Sequence, residues 1–357
     1  MARAPSAGDR RTELSEQRRR VDFDTYDLTV DELLRRVGRG RIDIAPVYQR
    51  QFRWDLARQS RLVESVFLGI PIPPLFMATN QGEDTQSQWE VVDGLQRLLT
   101  LVNFAGDTPT RSAAKLTTAP LRLEGLEKLT TFDKCDLAAL PEDIATAFED
   151  RPLKVVVLND LSDLQVRYDL FERLNTGGVS LTPQEIRECV YRGRFMDLLG
   201  ELSSSAQFRQ LVLLPEGKWK DGTPEDFVLR FFAFCEQYMS FQHSVKDFLN
   251  EFAFRATTEP ETDRRTSEFF RVFDFLTRCF PSGIRPRTSQ TPVNVFEAVS
   301  VGAALALRAV PGLQPVVEPA WVTTDDLRRL TSGGTNSRAR VAGRIEYCRD
   351  QFLRGDA

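Results

Sequence analysis

The stretch from Gln88 to Phe104, QWEVVDGLQRLLTLVNF, constrains the fold more than any other part of the chain. A short apolar run, Trp89 to Val92, reads as a buried strand, and it stops at the turn dipeptide Asp93-Gly94. A helical pattern starts at once. Leu95, Leu98, Leu99 and Val102 fall at i, i+3, i+4 and i+7 and place one apolar stripe on the core. Asp93 is the expected N-cap, and Gln96, three residues on, is the expected reciprocal partner in a capping box.

That reading accounts for Asp93 and Gln96 without a ligand, but it leaves Arg97 over. A cation in the first turn sits at the positive end of the helix dipole, at a cost of about 0.3–1 kcal/mol unless an anion is present. Arg97 also lies off the apolar stripe, so packing does not demand it. Two readings stay open: a capped helix with a surface arginine, or a strand–turn–helix phosphate site with Arg97 turned inward. On the second, Arg97→Ala is expected to leave the ligand-free stability unchanged or slightly raised.

Composition narrows the function classes. The 357 residues suffice for two or three domains, and 41% hydrophobic with 27% charged residues is the balance of a soluble globular protein. No apolar run approaches the ~20 residues of a membrane span, and the Arg-rich start is no secretion signal. Five cysteines (Cys135, Cys189, Cys235, Cys279, Cys348) are scattered singly, which fits reduced thiols in a cytoplasm. A net charge of −4 argues against non-specific duplex binding, so any DNA contact is expected through a local patch. The single histidine, His243, excludes a His-rich metal site and argues against an HNH or HD nuclease centre. There is no P-loop and no G-x-S-x-G elbow.

Residues 1–20 carry six arginines without periodicity and are expected to be a disordered basic leader. A helical pattern runs from Leu28 to Val37, and Ile42 and Ile44 alternate like a strand. In the loop that follows, Tyr48, Gln49, Arg50 and Trp54 cluster aromatic and donor groups. They form either a packed plug or an anion site with Gln49 and Arg50 as donors. Asp55 is expected to cap a helix over Leu56–Leu68, closed by Gly69. Leu75–Ala78 and Trp89–Val92 are expected to pair. Leu121–Leu123 reads as a short strand, 144–148 as helix, and LKVVVL (153–158) as a central strand of the same sheet.

A helix over 163–174 ends at Asn175-Thr176-Gly177-Gly178, which is either a glycine stop or a nest of amides able to hold phosphate. Thr182-Pro183-Gln184-Glu185 carries the capping box of the next helix. From 181 to the end the pattern is helical, with aromatic stripes at 227–234 and 269–280, an apolar helix at 294–307 and a linker at 311–319. SGGTNSRAR (332–340) reads as either a connector or a phosphate cradle before a terminal helix.

Three segments carry a family resemblance: PVYQRQFRW (46–54), VVDGLQRLLTL (91–101) and FERLNTGGVSLTPQE (171–185). They resemble, in order and in lying between suitable elements, the PxYQRxYxW box, the DGQQR motif and the FxxLNTGGxxLTxxE segment of the N-terminal domain of GmrSD-type restriction endonucleases. That family is a branch of the ParB/sulfiredoxin-like superfamily. The helical remainder, including SVKDFLNEF and GGTNSRARVAGRIEY, resembles its stand-alone members. The resemblance implies an α+β architecture: a mixed α/β nucleotide-binding domain over 21–180, then a mostly helical domain over 181–357. It also implies binding of a nucleoside triphosphate of unspecified base, with Mg²⁺ on Asp93. Asp93, Gln96 and Arg97 are the implied catalytic residues. Gln49, Arg50, Trp54, Gly94 and Arg97 are implied to bind nucleotide, with Glu172, Arg173, Asn175 and Thr176 as further candidates for the same cleft. Leu95 stands where the motif has glutamine, which puts the nucleotide contacts in doubt.

The HNH domain of longer relatives has no counterpart here, so the expected role is an NTP-hydrolysing part of a bacterial restriction-type defence system. Its expected partner is a separately encoded nuclease or effector chain, with self-association left open. A non-catalytic nucleotide- or DNA-responsive adaptor is the alternative. A self-sufficient nuclease with carboxylate-bound metal, for which Glu124 and the Glu127-Lys128 pair are the candidates, is the third reading.

Overall fold

A computed structural model describes residues 6, 8, 10–12, 22–44, 54–80, 88–159, 164–174, 182–242, 244–285, 289–333 and 336–355. The chain divides into two compact units, Met1–Ser180 and Leu181–Ala357.

The first unit is built on a five-stranded mixed sheet. Its strands are β1 (Phe23–Thr29), β2 (Ile42–Asp43), β3 (Leu75–Asn80), β4 (Gln88–Asp93) and β5 (Pro152–Leu158), in the spatial order β1-β5-β3-β4-β2. β1 and β4 run antiparallel to β5 and β3 respectively, whereas β3–β5 and β2–β4 are parallel. β3 is therefore the middle strand, and the β-branched β5 is interior beside it. The pairing of β3 with β4 is as the sequence led one to expect.

β1 was not foreseen. Leu28, expected in a helix, lies in this strand, and α1 (Val30–Gly38) begins two residues later. Thr29 ends the one and caps the other, its hydroxyl accepting from Glu32 N at 3.2 Å. An edge strand with exposed Phe23 and Tyr26 has no clean alternation, and its partner β5 is more than a hundred residues away in the chain. The strand expected at Leu121–Leu123 is absent. Both leucines are buried as alternation requires, but their amides go to the carbonyls of Asn103 and Cys135, outside any ladder.

The described residues of this unit also form α2 (Leu56–Leu68), α3 (Leu95–Ala105), α4 (Thr108–Ala113), α5 (Glu142–Glu149) and α6 (Leu164–Leu174). Asp55 caps α2 by accepting from Arg58 N at 2.8 Å, and Gly69 ends it in the left-handed region at φ +68°. Val63, Met77, Leu98, Leu101, Phe148 and Val155 lie in one buried core between sheet and helices. The rings of Phe67, Phe104 and Phe148 meet in it at 4.7–6.0 Å.

The second unit contains helices and no strand among its described residues. They are α7 (Pro183–Val190), α8 (Arg194–Ser203), α9 (Ala206–Leu211), α10 (Thr223–Gln237), α11 (Val245–Thr258), α12 (Thr262–Cys279), α13 (Val293–Ala309), α14 (Asp325–Thr331) and α15 (Arg338–Arg354). The capping box of α7 forms as its sequence indicates: Glu185 N donates to Thr182 Oγ1 at 3.2 Å, and Thr182 N to Glu185 Oε2 at 2.7 Å. The aromatic stripes are core. Phe231, Phe269, Phe273 and Phe296 are all buried, with Phe269 stacked on Phe273 at 3.8 Å. His243 and the first two residues of GTN in SGGTNSRAR lie outside the described residues.

Candidate functional site

The turn after β4 departs from the expected cap. Asp93 is the last residue of the strand, Gly94 is the N-cap of α3 at φ +94°, and no side chain caps the helix. Only glycine fits there. The backbone is left-handed, and a Cβ would collide with Leu75 Cδ2 and lie 3.2 Å from Arg97 Nη2.

Arg97 is buried rather than on the surface, with 9% exposure. Its guanidinium folds back beneath the turn. Nη1 donates to the carbonyls of Pro73 and, at 3.1 Å, of Pro74, and Nη2 donates to Asp93 Oδ2 at 2.5 Å. The placement outside the packed face is thus corrected. The anion that the dipole argument called for is supplied internally, by one carboxylate and two carbonyls. Burial pulls the Arg97 pKa below its ordinary value, and the charge and hydrogen bond of Asp93 pull it back up. The prolines explain the two carbonyls: an extended Pro-rich run has no ladder partners of its own to satisfy them.

Gln96 does not close a capping box either. Its Oε1 accepts from Trp54 N at 3.2 Å, so the first motif is fastened to the second. The chain of bonds continues inward. Gln59 Nε2 donates to Trp54 O at 2.8 Å, Asn103 Nδ2 to Gln59 Oε1 at 3.0 Å, and Arg111 Nη1 to Asn103 O at 2.7 Å. Gln59, Asn103 and Arg111 were missed by sequence reasoning. The available signal was a polar residue on an otherwise apolar helix face, Gln59 near Leu62 and Asn103 beside Val102.

The Trp54 ring is half-buried, with the Arg58 guanidinium 5.8 Å from its centroid. Glu172 and Arg173 lie on the exposed side of α6, which packs against β4 while Tyr168 and Phe171 are buried. Gln49, Arg50, Asn175 and Thr176 fall outside the described residues. Of the two carboxylates of the nuclease reading, Glu124 pairs with Lys134 at 3.3 Å and Glu127 with Arg61 at 3.6 Å. Among the described residues, no three His, Cys, Asp or Glu are grouped to hold a metal ion.

The turn leaves one chemical capacity open. The first amides of an α-helix have no intrahelical partners, and at α3 the N-cap residue, Gly94, has no side chain to take one. A rigid strand–glycine–helix turn with uncapped amides and a cation beneath it has the local parts of an anion site.

No curated protein and no solved structure matches the chain. Residues 30–192 match the family model described as the GmrSD restriction endonuclease, N-terminal domain. The matched region runs from α1 through α7 and holds the Trp54–Gln96 bond and the Asp93–Arg97 pair. By its three motifs and by this match, the 30–192 region of the chain belongs to the GmrSD N-terminal domain family.

Proposed function

We propose that this protein is a nucleotide-binding component of a restriction-type defence system, with the nucleotide phosphates seated on the first turn of α3. The observation that carries the reading is the uncapped N-terminus of α3 on a turn locked by Arg97. Arg97 supports this site chiefly from beneath, by positioning and by its charge, because three of its hydrogen bonds go to protein oxygens. Asp93 has Oδ2 on Arg97, and its Oδ1 has no hydrogen-bond partner among the described residues, so one oxygen suits Mg²⁺. Bound there, Mg²⁺ would neutralise phosphate charge and favour hydrolysis, with Gln96 near an attacking water. A separately encoded nuclease or effector would be the partner that reads the nucleotide state, and DNA would be met through a local patch.

The ion pair favours a second reading, in which binding alone switches the partner. Asp93 and Arg97 are tied to each other, and Leu95 stands in place of the motif's glutamine. Phosphate release by the purified chain separates turnover from binding.

Gln96→Glu tests the site itself. The new carboxylate keeps an oxygen for Trp54 N, places negative charge beside the uncapped amides, and suits a helix N-terminus by about 0.3–1 kcal/mol. Calorimetric titration should show NTP affinity reduced more than tenfold, with a melting temperature equal to or above that of wild type. Unchanged NTP affinity in this variant would remove the phosphates from the α3 turn.

A further inference from the structure

Trp54 ties the starts of two helices together. Its amide donates to Gln96 Oε1 of α3 at 3.2 Å, and its carbonyl accepts from Gln59 Nε2 of α2 at 2.8 Å. Asn103 of α3, whose Nδ2 donates to Gln59 Oε1 at 3.0 Å, fastens the same two helices further in. The start of α2 is therefore held beside the start of α3, although Trp54 and Gln96 are 42 residues apart in the chain.

Arg58, in the first turn of α2, stands at this junction. Its guanidinium carbon lies 5.8 Å from the centroid of the half-buried Trp54 ring, and the residue is exposed. Asp55, the nearest carboxylate in sequence, caps α2 by accepting from the Arg58 backbone amide at 2.8 Å. Among the described residues, the Arg58 guanidinium has no ion pair and no hydrogen bond. A cation in the first turn opposes the helix dipole, and no acidic residue in that turn offsets it. The ring restricts the side chain without neutralising its charge.

A phosphate chain on the α3 turn needs a cation that can touch it. Arg97 is 9% exposed and has both terminal nitrogens on protein oxygens, those of Pro73, Pro74 and Asp93. Arg111, the arginine at the inner end of the Trp54 network, gives Nη1 to Asn103 and Nη2 to Thr118 O. Of these three arginines, Arg58 keeps its donors. We propose that Arg58 is the residue that grips the phosphates of the nucleotide seated on the α3 turn, with the Trp54 ring as its rest. The inference rests on the α3 seat and adds to it a cation in direct contact with the ligand. A guanidinium fork matches two phosphate oxygens, and a side chain already held against a ring loses less freedom when it binds.

The test is calorimetric titration of the full-length chain, with Mg²⁺ present, by ATP, GTP, CTP, UTP and inorganic triphosphate. Wild type, Arg58→Gln, Arg58→Lys and Gln96→Glu are compared. Arg58→Gln is expected to weaken the best-bound nucleotide and inorganic triphosphate by the same factor, about tenfold. Its melting temperature should equal or exceed that of wild type, because a first-turn cation is removed. Arg58→Lys keeps the charge without the fork and should lose less affinity. Wild-type affinity in Arg58→Gln overturns the inference, and the α3 seat still stands if Gln96→Glu has lost affinity. A loss confined to the nucleotides assigns Arg58 to the base and overturns it too. So does a melting temperature lowered in both Arg58 variants, which would make the residue structural. Affinity lost in Arg58→Gln but kept in Gln96→Glu takes the phosphates off the α3 turn, and the inference falls with the seat. Wild type that binds none of the probes at millimolar concentration overturns both.

Discussion

Two buried arginine centres, one in each unit, differ in how their charge is balanced. Beneath the α3 turn, Arg97 faces Asp93 and two proline carbonyls, so one cation meets one carboxylate and its donors are largely used. In the helical unit, Arg187 and Arg230 both pair with Asp226, and Arg230 and Arg344 both pair with Glu297, so each carboxylate holds two arginines. The first arrangement is a fastener that joins β4, α3 and the proline segment before β3. The second is a chain of shared carboxylates that links α7, α10, α13 and α15. Burial of an arginine does not by itself distinguish the two; the count of carboxylates around it does.

Breaking the second centre at its middle should have the largest effect. Glu297→Ala removes a carboxylate of 0% exposure that pairs with both Arg230 and Arg344, the latter itself 1% exposed. The expected loss is about 3–5 kcal/mol, read as a shift of the urea midpoint. A loss below about 1 kcal/mol would mean that the network is well solvated and its shared carboxylates of little consequence.

Arg97→Ala comes next. The dipole reading of the sequence leaves ligand-free stability unchanged or raised, whereas the structure reverses the sign, because Asp93 and two carbonyls lose their donor. A destabilisation of about 2–3 kcal/mol is expected in the same assay. An unchanged midpoint would return Arg97 to the surface role, one of the two readings its sequence left open.

The smallest effect depends on pH. Burial, then the charge of Glu225, pushes the Glu188 carboxyl up to about 8 from an ordinary 4.5. The folded state therefore binds a proton that the unfolded chain releases. Glu188 favours folding fully below pH 4.5, and that contribution is lost as pH rises to about 8. Glu188→Gln, which keeps a hydrogen-bonding group beside Gln184, should match wild type at pH 4. It should exceed wild type by about 2 kcal/mol at pH 9, a figure held below the full linkage value because the side chain is only half-buried. A stability difference that does not widen between these pH values would place Glu188 in solvent.

The sequence by itself determined what depends on residues a few positions apart. The β4–turn–α3 unit, the Asp55 cap and Gly69 stop of α2, and the Thr182–Glu185 capping box are all interactions within about one helical turn. The helical pattern of the remainder followed from periodicity, and the motif order led to the family and, through that resemblance, to the α+β architecture. Only the tertiary structure decided what the motif residues touch. Asp93 is not a cap and Arg97 is not outside, because the carbonyls that hold Arg97 lie 23 and 24 residues earlier in the chain. Gln96 reaches Trp54 across 42 residues, and Arg187 reaches Asn250 across 63. Hydrogen bonds and charge balance at such separations follow from how helices pack, and no local pattern of residue types records them.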